Sequence, residues 1–112
     1  MLFELQRYEE ALSAIEKVIE IKPDEALYYA RYSGVLFELQ RYEEALSAIE
    51  KAIEIKPDEA LYYSKYSDVL FELKRYEEAL SAIEKAIELE PDNEDYKREL
   101  EEIKELIEEN NK

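Results

Sequence analysis

The stretch Arg41–Pro57, RYEEALSAIEKAIEIKP, decides how this chain is read, because it stands three times in the sequence. It recurs at Arg7–Pro23 with one change, Val18 for Ala52, and at Arg75–Pro91 with two, Leu89 for Ile55 and Glu90 for Lys56. Pro23, Pro57 and Pro91 are each 34 residues apart. A period of that length signals a solenoid, whose units bury their apolar faces only by stacking on neighbours.

Working outward, the copy from Tyr8 to about Ile21 places Ala11, Leu12, Ile15, Val18 and Ile19 at helical spacing, with Glu9, Glu10, Glu16, Lys17 and Glu20 between them. That pattern predicts an amphipathic helix. Pro23 ends it. Asp24 is placed to accept backbone N–H bonds at the start of the next helix, with Glu25 favourable beside the positive end of the dipole. A helix from about Glu25 to Leu39 carries Tyr28, Tyr29, Tyr32, Val35, Leu36 and Leu39 over a broad arc, which implies neighbours on two sides. At Leu39-Gln40-Arg41 the pattern changes phase and the opening stretch begins, so the two helices meet through a short turn and are antiparallel. The next unit repeats the plan, with helices expected from about Glu59 to Leu73 and from about Tyr76 to Glu90.

The two ends depart from the plan. Met1–Leu5 matches Val35–Leu39 with Met1 in the place of Val35, so residues 1–6 are expected to supply little more than one turn of a first partner helix. After Pro91, Tyr62, Tyr66, Val69 and Leu73 become Tyr96, Leu100, Ile103 and Ile107, an apolar stripe preserved. Over the same span Leu61, Tyr63, Leu70 and Phe71 become Asp95, Lys97, Lys104 and Glu105. One face is kept for the preceding unit and the other is made polar, the pattern of a capping helix, expected from about Asn93 to Glu109.

Composition narrows the function classes. Thirty acidic against 15 basic residues give a net charge of −15, which repels phosphate backbones and anionic headgroups, so neither nucleic acid nor a membrane surface is an expected partner. The chain has no cysteine and no histidine, which removes disulfides, thiolate metal sites, the commonest general base and the usual triads. No apolar run approaches the ~20 residues that span a bilayer, and no signal peptide opens the chain, so the cytoplasm is the expected location.

The repeat resembles the tetratricopeptide repeat, a 34-residue helix-turn-helix with the pattern W-x2-L-G-x2-Y, then A-x3-F, then P. The corresponding residues are Tyr29-x2-Tyr32-Ser33-x2-Leu36, Ala45-x3-Ile49 and Pro57, then Tyr63-x2-Tyr66-Ser67-x2-Leu70, Ala79-x3-Ile83 and Pro91; the first, partial unit retains Leu2, Ala11, Ile15 and Pro23. The small Ala, the Pro and the period match outright, while Ser replaces the Gly. A Gly often found in the turn between the family's helices is Gln40 or Lys74 here, so a slightly altered turn is expected.

The resemblance implies an all-α fold, a right-handed α-α superhelix of antiparallel helix pairs with a C-terminal capping helix. The expected division is a partial repeat at 1–23, full repeats at 24–57 and 58–91, and the cap at 92–112, all in one solenoid domain. It also implies that the first helices of successive repeats line a concave groove for an extended peptide or a partner helix. By position the groove residues are Leu27, Ala30, Arg31, Gly34, Phe37 and Glu38, then Leu61, Ser64, Lys65, Asp68, Phe71 and Glu72, with Phe3 at the broken end. The best-known peptide-binding relatives hold a C-terminal carboxylate with Lys and Asn on successive groove helices. Ala30, Gly34, Ser64 and Asp68 occupy those positions here, which disfavours that clamp.

Each candidate also has a plainer reading. Leu27, Leu61, Phe37 and Phe71 are large apolar residues at matched positions, which favours a binding surface over a merely solvated helix side. Arg31 and Lys65 suit a ligand carboxylate, and local pairing with Glu38 and Glu72 serves them as well. Gly34, the only glycine, suits close ligand approach, but Asp68 at the matching position favours ordinary tolerance. The tyrosines are read as packing between repeats with hydroxyls reaching polar neighbours, in preference to an aromatic cage. Asp92, Asn93, Glu94 and Asp95 lack the calcium-loop pattern and are read as helix capping. Ser13, Ser47 and Ser81 have no nearby base and are not nucleophiles.

The functional expectation is a non-catalytic scaffold for a protein or peptide partner, with no cofactor and no metal. The alternative is a self-assembling module in which Tyr8, Ala11, Ile15 and Val18, lacking a full partner helix, associate with another chain, as a homodimer through the N-terminal half-repeat or by helix exchange. The near-identity of the repeats fits a recent duplication and an engineered consensus design alike.

Overall fold

Apolar side chains at three- and four-residue spacing, interrupted only at the prolines and at Gln40 and Lys74, leave the helix as the regular structure available to this chain. The computed structural model describes residues 2–112, with side chains from Glu4 onward, so the positions expected for Met1 and for the Leu2 and Phe3 side chains lie outside the described residues. Those residues form α1 (Leu2–Ile21), α2 (Ala26–Glu38), α3 (Tyr42–Ile55), α4 (Ala60–Glu72), α5 (Tyr76–Leu89) and α6 (Glu94–Asn110). They fall into two units that divide between Pro57 and Asp58. In the first, α2 packs against both α1 and α3; in the second, α5 packs against both α4 and α6. The architecture is the expected all-α solenoid of antiparallel helix pairs.

Each helix pair is closed in the same way. Leu36 and Ile49 in the first unit, and Leu70 and Ile83 in the second, are wholly removed from solvent. Beside them the Ser33 hydroxyl, buried in α2, donates to the Ala45 carbonyl of α3 at 2.8 Å, and Ser67 does the same to Ala79 at 3.0 Å. Burying a hydroxyl is tolerated because each one has an acceptor. The serine in place of the family's glycine is thus a cross-link between the two helices of a pair.

The altered turn expected at Gln40 and Lys74 is corrected: both residues adopt the left-handed conformation that glycine takes freely. Gln40 and Lys74 take positive φ, 61° and 62°. The amides of Gln40 and Arg41 donate to the carbonyls of Phe37 and Leu36, both at 2.9 Å, and Lys74 and Arg75 repeat the arrangement on Phe71 and Leu70 at 3.0 and 2.9 Å. This is a Schellman ending with a non-glycine residue in the left-handed position, at a cost of roughly 1–2 kcal/mol.

Two local expectations are corrected. Asp24 does not cap α2: the helix starts from Glu25, whose side chain makes no capping bond, because Pro23 and Asp24 are spent on the turn that precedes it. Among α2 to α6 only α6 begins with a side-chain cap, the Asn93 carboxamide oxygen accepting from the Tyr96 amide at 3.1 Å. At the other end α1 runs unbroken from Leu2 to Ile21, with no turn at Gln6. Continuing the helix keeps the backbone bonds that a turn would break.

Candidate functional site

On α2 the residues Leu27, Arg31, Gly34 and Glu38 recur every three or four positions and form one stripe. Leu27 stays 47% exposed, and a Cβ added at Gly34 would meet nothing within 4 Å. Phe37, at the end of the stripe, is half-buried and sets its ring edge-to-face against Tyr42, the first residue of α3, with centroids 5.3 Å apart. On α4 the matched stripe has Leu61 at 49% exposure, a half-buried Lys65, an exposed Asp68, and Phe71 against Tyr76 at 5.5 Å. Ala30 and Ser64 do not reach either surface: both are buried. Among the described residues Arg31 and Lys65 form no ion pair, so the local pairing with Glu38 or Glu72 is not made. Other cations pair with carboxylates three residues away, as Arg41 just before α3 does with Glu44 and Arg75 just before α5 with Glu78, both at 2.7 Å.

The tyrosines behave as packing residues. The Tyr29 hydroxyl donates to the Pro23 carbonyl at 3.0 Å, and Tyr32 donates to the Glu16 carboxylate at 2.9 Å, tying α2 to α1. Burial, reinforced by the hydrogen bond to Glu16, raises the Tyr32 phenol above its ordinary pKa.

In the second unit a cleft of about 320 Å³ opens between α4 and α6, lined by Asp68, Phe71, Asp95, Arg98, Glu99, Glu102 and Ile103. Glu99 hydrogen-bonds Asp68 there. Partial burial first, then the bond to Asp68 and the charges of Asp68 and Glu102, push the Glu99 carboxyl up to about 9, so it carries a proton at neutral pH. Arg98 does not relieve this pair, being engaged with Asp95 at 3.0 Å. Sequence reasoning placed Asp68 on the groove but missed Glu99. The signal was the register: 34 residues earlier, Lys65 stands where Glu99 does, so the cap brings an acid to a position that holds a cation in the repeat.

At the N-terminal end Tyr8 and Ala11 line a shallow depression on α1 with Glu4 and Arg7. Ile15 and Val18 are not part of it, although both remain half-exposed, and Leu5 nearby is 49% exposed. The counterparts of Ala11 and Ile15 in the later copies, Ala45, Ile49, Ala79 and Ile83, are all fully buried.

Among the described residues no group of three or more potential ligands is placed to hold a metal ion, and no helix is long and apolar enough to cross a membrane.

Two family models described as tetratricopeptide repeat match the sequence, one over residues 2–69 and one over 60–93. A comparison with curated proteins found no match. Among solved structures, the first TPR of Spaghetti (RPAP3), bound to the HSP90 peptide SRMEEVD, is 26% identical with a TM-score of 0.87, over 94% of this chain and 83% of that one. The Sgt2 TPR domain from Aspergillus fumigatus is 27% identical with a TM-score of 0.87, over 95% of this chain and 72% of that one. The second TPR domain of human RPAP3, in complex with the HSP70 peptide SGPTIEEVD, is 26% identical with a TM-score of 0.83, over 91% of this chain and 85% of that one.

Proposed function

The chain belongs to the tetratricopeptide repeat family, and from that premise we propose that it is a non-catalytic interaction scaffold receiving a peptide or helix of a partner protein on the faces of α2 and α4. One observation carries this reading. At matched positions Leu27 and Leu61 remain 47% and 49% exposed, each followed one turn later by a cation that forms no ion pair among the described residues, Arg31 or Lys65. On each of the two helix faces, an exposed leucine beside a cation that pairs with none of the described residues suits a ligand that has both an apolar side chain and an acidic group. That the TPRs of Spaghetti and human RPAP3 bind peptides of HSP90 and HSP70 supports the general mode. The chemistry here differs, because Ala30, Gly34, Ser64 and Asp68 supply no Lys and Asn clamp, and Ala30 and Ser64 are buried. Apolar side chains therefore dominate recognition over a terminal carboxylate.

A displayed peptide library selected on the full chain tests the proposal. Leu27→Glu and Leu61→Glu should each weaken a selected peptide roughly tenfold, about 1.4 kcal/mol, with helical content unchanged. Phe37→Glu and Phe71→Glu should weaken it as well. Undiminished binding in all four variants would show that the peptide lies elsewhere.

A second reading, self-association through α1, rests on the half-exposure of Ala11 and Ile15 where their counterparts are fully buried. An isologous dimer would cover Tyr8, Ala11, Ile15 and Val18 symmetrically. With a net charge of −15 per chain, such a dimer should tighten as salt rises. Light scattering that reports a strict monomer at high micromolar concentration, at both low and high salt, rules it out.

A further inference from the structure

Asp68 of α4 and Glu99 of α6 are two acids whose side chains meet in the cleft of the second unit, joined by a hydrogen bond. Such a bond needs a donor, and two carboxylates have none between them. Neighbouring groups do not supply it. The Ser67 hydroxyl, which also reaches Glu99, has one proton and gives it to the Ala79 carbonyl at 3.0 Å. Arg98 is turned to Asp95 at 3.0 Å. A second charged group acting on Glu99 is another acid, Glu102 on the same helix, and among the described residues α5 contributes none to the cleft lining. Tyr96, one turn earlier on α6, has its own phenol raised, by burial first and then by acids that include Glu90 and Glu99. The bond between Asp68 and Glu99 therefore exists only while one proton stays on the pair.

That proton sits where α6 meets the rest of its unit. α6 packs on α5, and its buried Ile103 lines the cleft together with the half-buried Phe71 of α4. Released from this packing, a helix of 17 residues is marginal in water, so undocking of α6 and loss of its helix go together. Docked, the Glu99 carboxyl is pushed up from 4.5 to about 9, by burial first and then by Asp68. Undocked, it is solvated and gives the proton up at neutral pH. Docking thus takes up close to one proton between those limits. The positions 34 residues before Asp68 and Glu99 hold Gly34 and Lys65, so the repeat itself does not carry the pair.

We propose that Asp68 and Glu99 form a proton-operated latch for α6, which is held against α4 and α5 while Glu99 donates to Asp68 and opens locally as that proton is lost. Because the folded group binds its proton more tightly than the released one, the latch is fully closed below about pH 4.5 and loosens progressively as pH rises towards 9. It needs no bound peptide and no second copy, so it stands apart from both readings of function above.

Native-state hydrogen exchange on the full chain tests the latch, read by NMR between about pH 5 and about pH 8 and corrected for the intrinsic exchange rate. The Ile103 amide should exchange through a local opening, with protection at least about tenfold below that of Ile83 in α5. Its opening constant should rise by roughly tenfold per pH unit, the linkage of one proton. Glu99→Gln, whose carboxamide donates to Asp68 at every pH, should make that constant independent of pH. Asp68→Asn, which gives an ionised Glu99 a donor, should flatten the dependence too. Glu101→Gln, at an exposed acid of α6 outside the cleft, should leave the slope as it is. An opening constant at Ile103 that does not move with pH, a slope that survives Glu99→Gln, or equal protection of Ile103 and Ile83 overturns the proposal.

Discussion

Ser33 and Ala45 are joined by a buried hydrogen bond of 2.8 Å that ties the first helix of a repeat to the second, and Ser67 and Ala79 repeat it at 3.0 Å. A buried bond of this kind contributes about 1 kcal/mol net. Ser33→Ala should therefore lower the unfolding free energy by about that amount, read from a urea titration. Ser13→Ala, at an exposed site, should change it by less than about 0.5 kcal/mol. Equal effects would mean that the Ser33 hydroxyl has no structural role.

One substitution should act with opposite sign in two identical stretches of sequence. Gln40→Gly relieves a left-handed residue and should stabilise by about 1 kcal/mol. Gln6→Gly, in the interior of α1, should destabilise by about 1 kcal/mol. Lys74→Gly should follow Gln40→Gly. Denaturant midpoints of the three variants measure this directly, and a common sign for all three would contradict the straight path of α1.

Gly34 sits inside α2 with open space where its side chain would be. Gly34→Ala should raise stability by about 1 kcal/mol, with no change in structure. A thermal or chemical melt that shows a loss instead would reveal a constraint on that backbone which its present neighbours do not impose.

The Glu99 carboxyl provides a pH dependence whose sign follows from the direction of its shift. Its pKa in the folded chain, about 9, lies above the ordinary value of 4.5, so the folded state holds the extra proton. Stability from this group is fully present below about pH 4.5 and is lost progressively as pH rises towards 9. Glu99→Gln should flatten that part of the profile, and Glu99→Lys should replace two opposed acids with an ion pair to Asp68 and stabilise the chain at pH 8. Unfolding titrations at pH 5, 7 and 9 on the three proteins separate these outcomes, and a profile unaltered by Glu99→Gln would remove the pair from the account.

Helix count, pairing and the polar face of α6 were legible because periodicity, proline and phase change are local signals that tertiary packing reinforces. Tyr96 and Ile103 are buried on the stripe where the repeat pattern put them, while Asp95 and Lys97 are exposed. The path of α1 was not legible. Its residues are those that turn at Gln40 in the second copy, and no local signal at Gln6 tells the two paths apart. On the candidate face the leucines were readable from register, whereas the burial of Ala30 and Ser64 depends on how far α2 and α4 are rotated, a quantity that composition does not contain. The Asp68 and Glu99 pair arises from two residues 31 positions apart, and only comparison with Lys65 exposes it.

The Asn93 cap gives the two kinds of helix different autonomy. α2 and α4 follow Glu25 and Glu59, neither of which caps its helix with a side-chain bond, so their first turns are defined by the company they keep. α6 begins with a bond made by its own residues, Asn93 to Tyr96. The segment from Asp92 onward thus carries its own starting signal, whereas α2 and α4 take theirs from the helices packed against them.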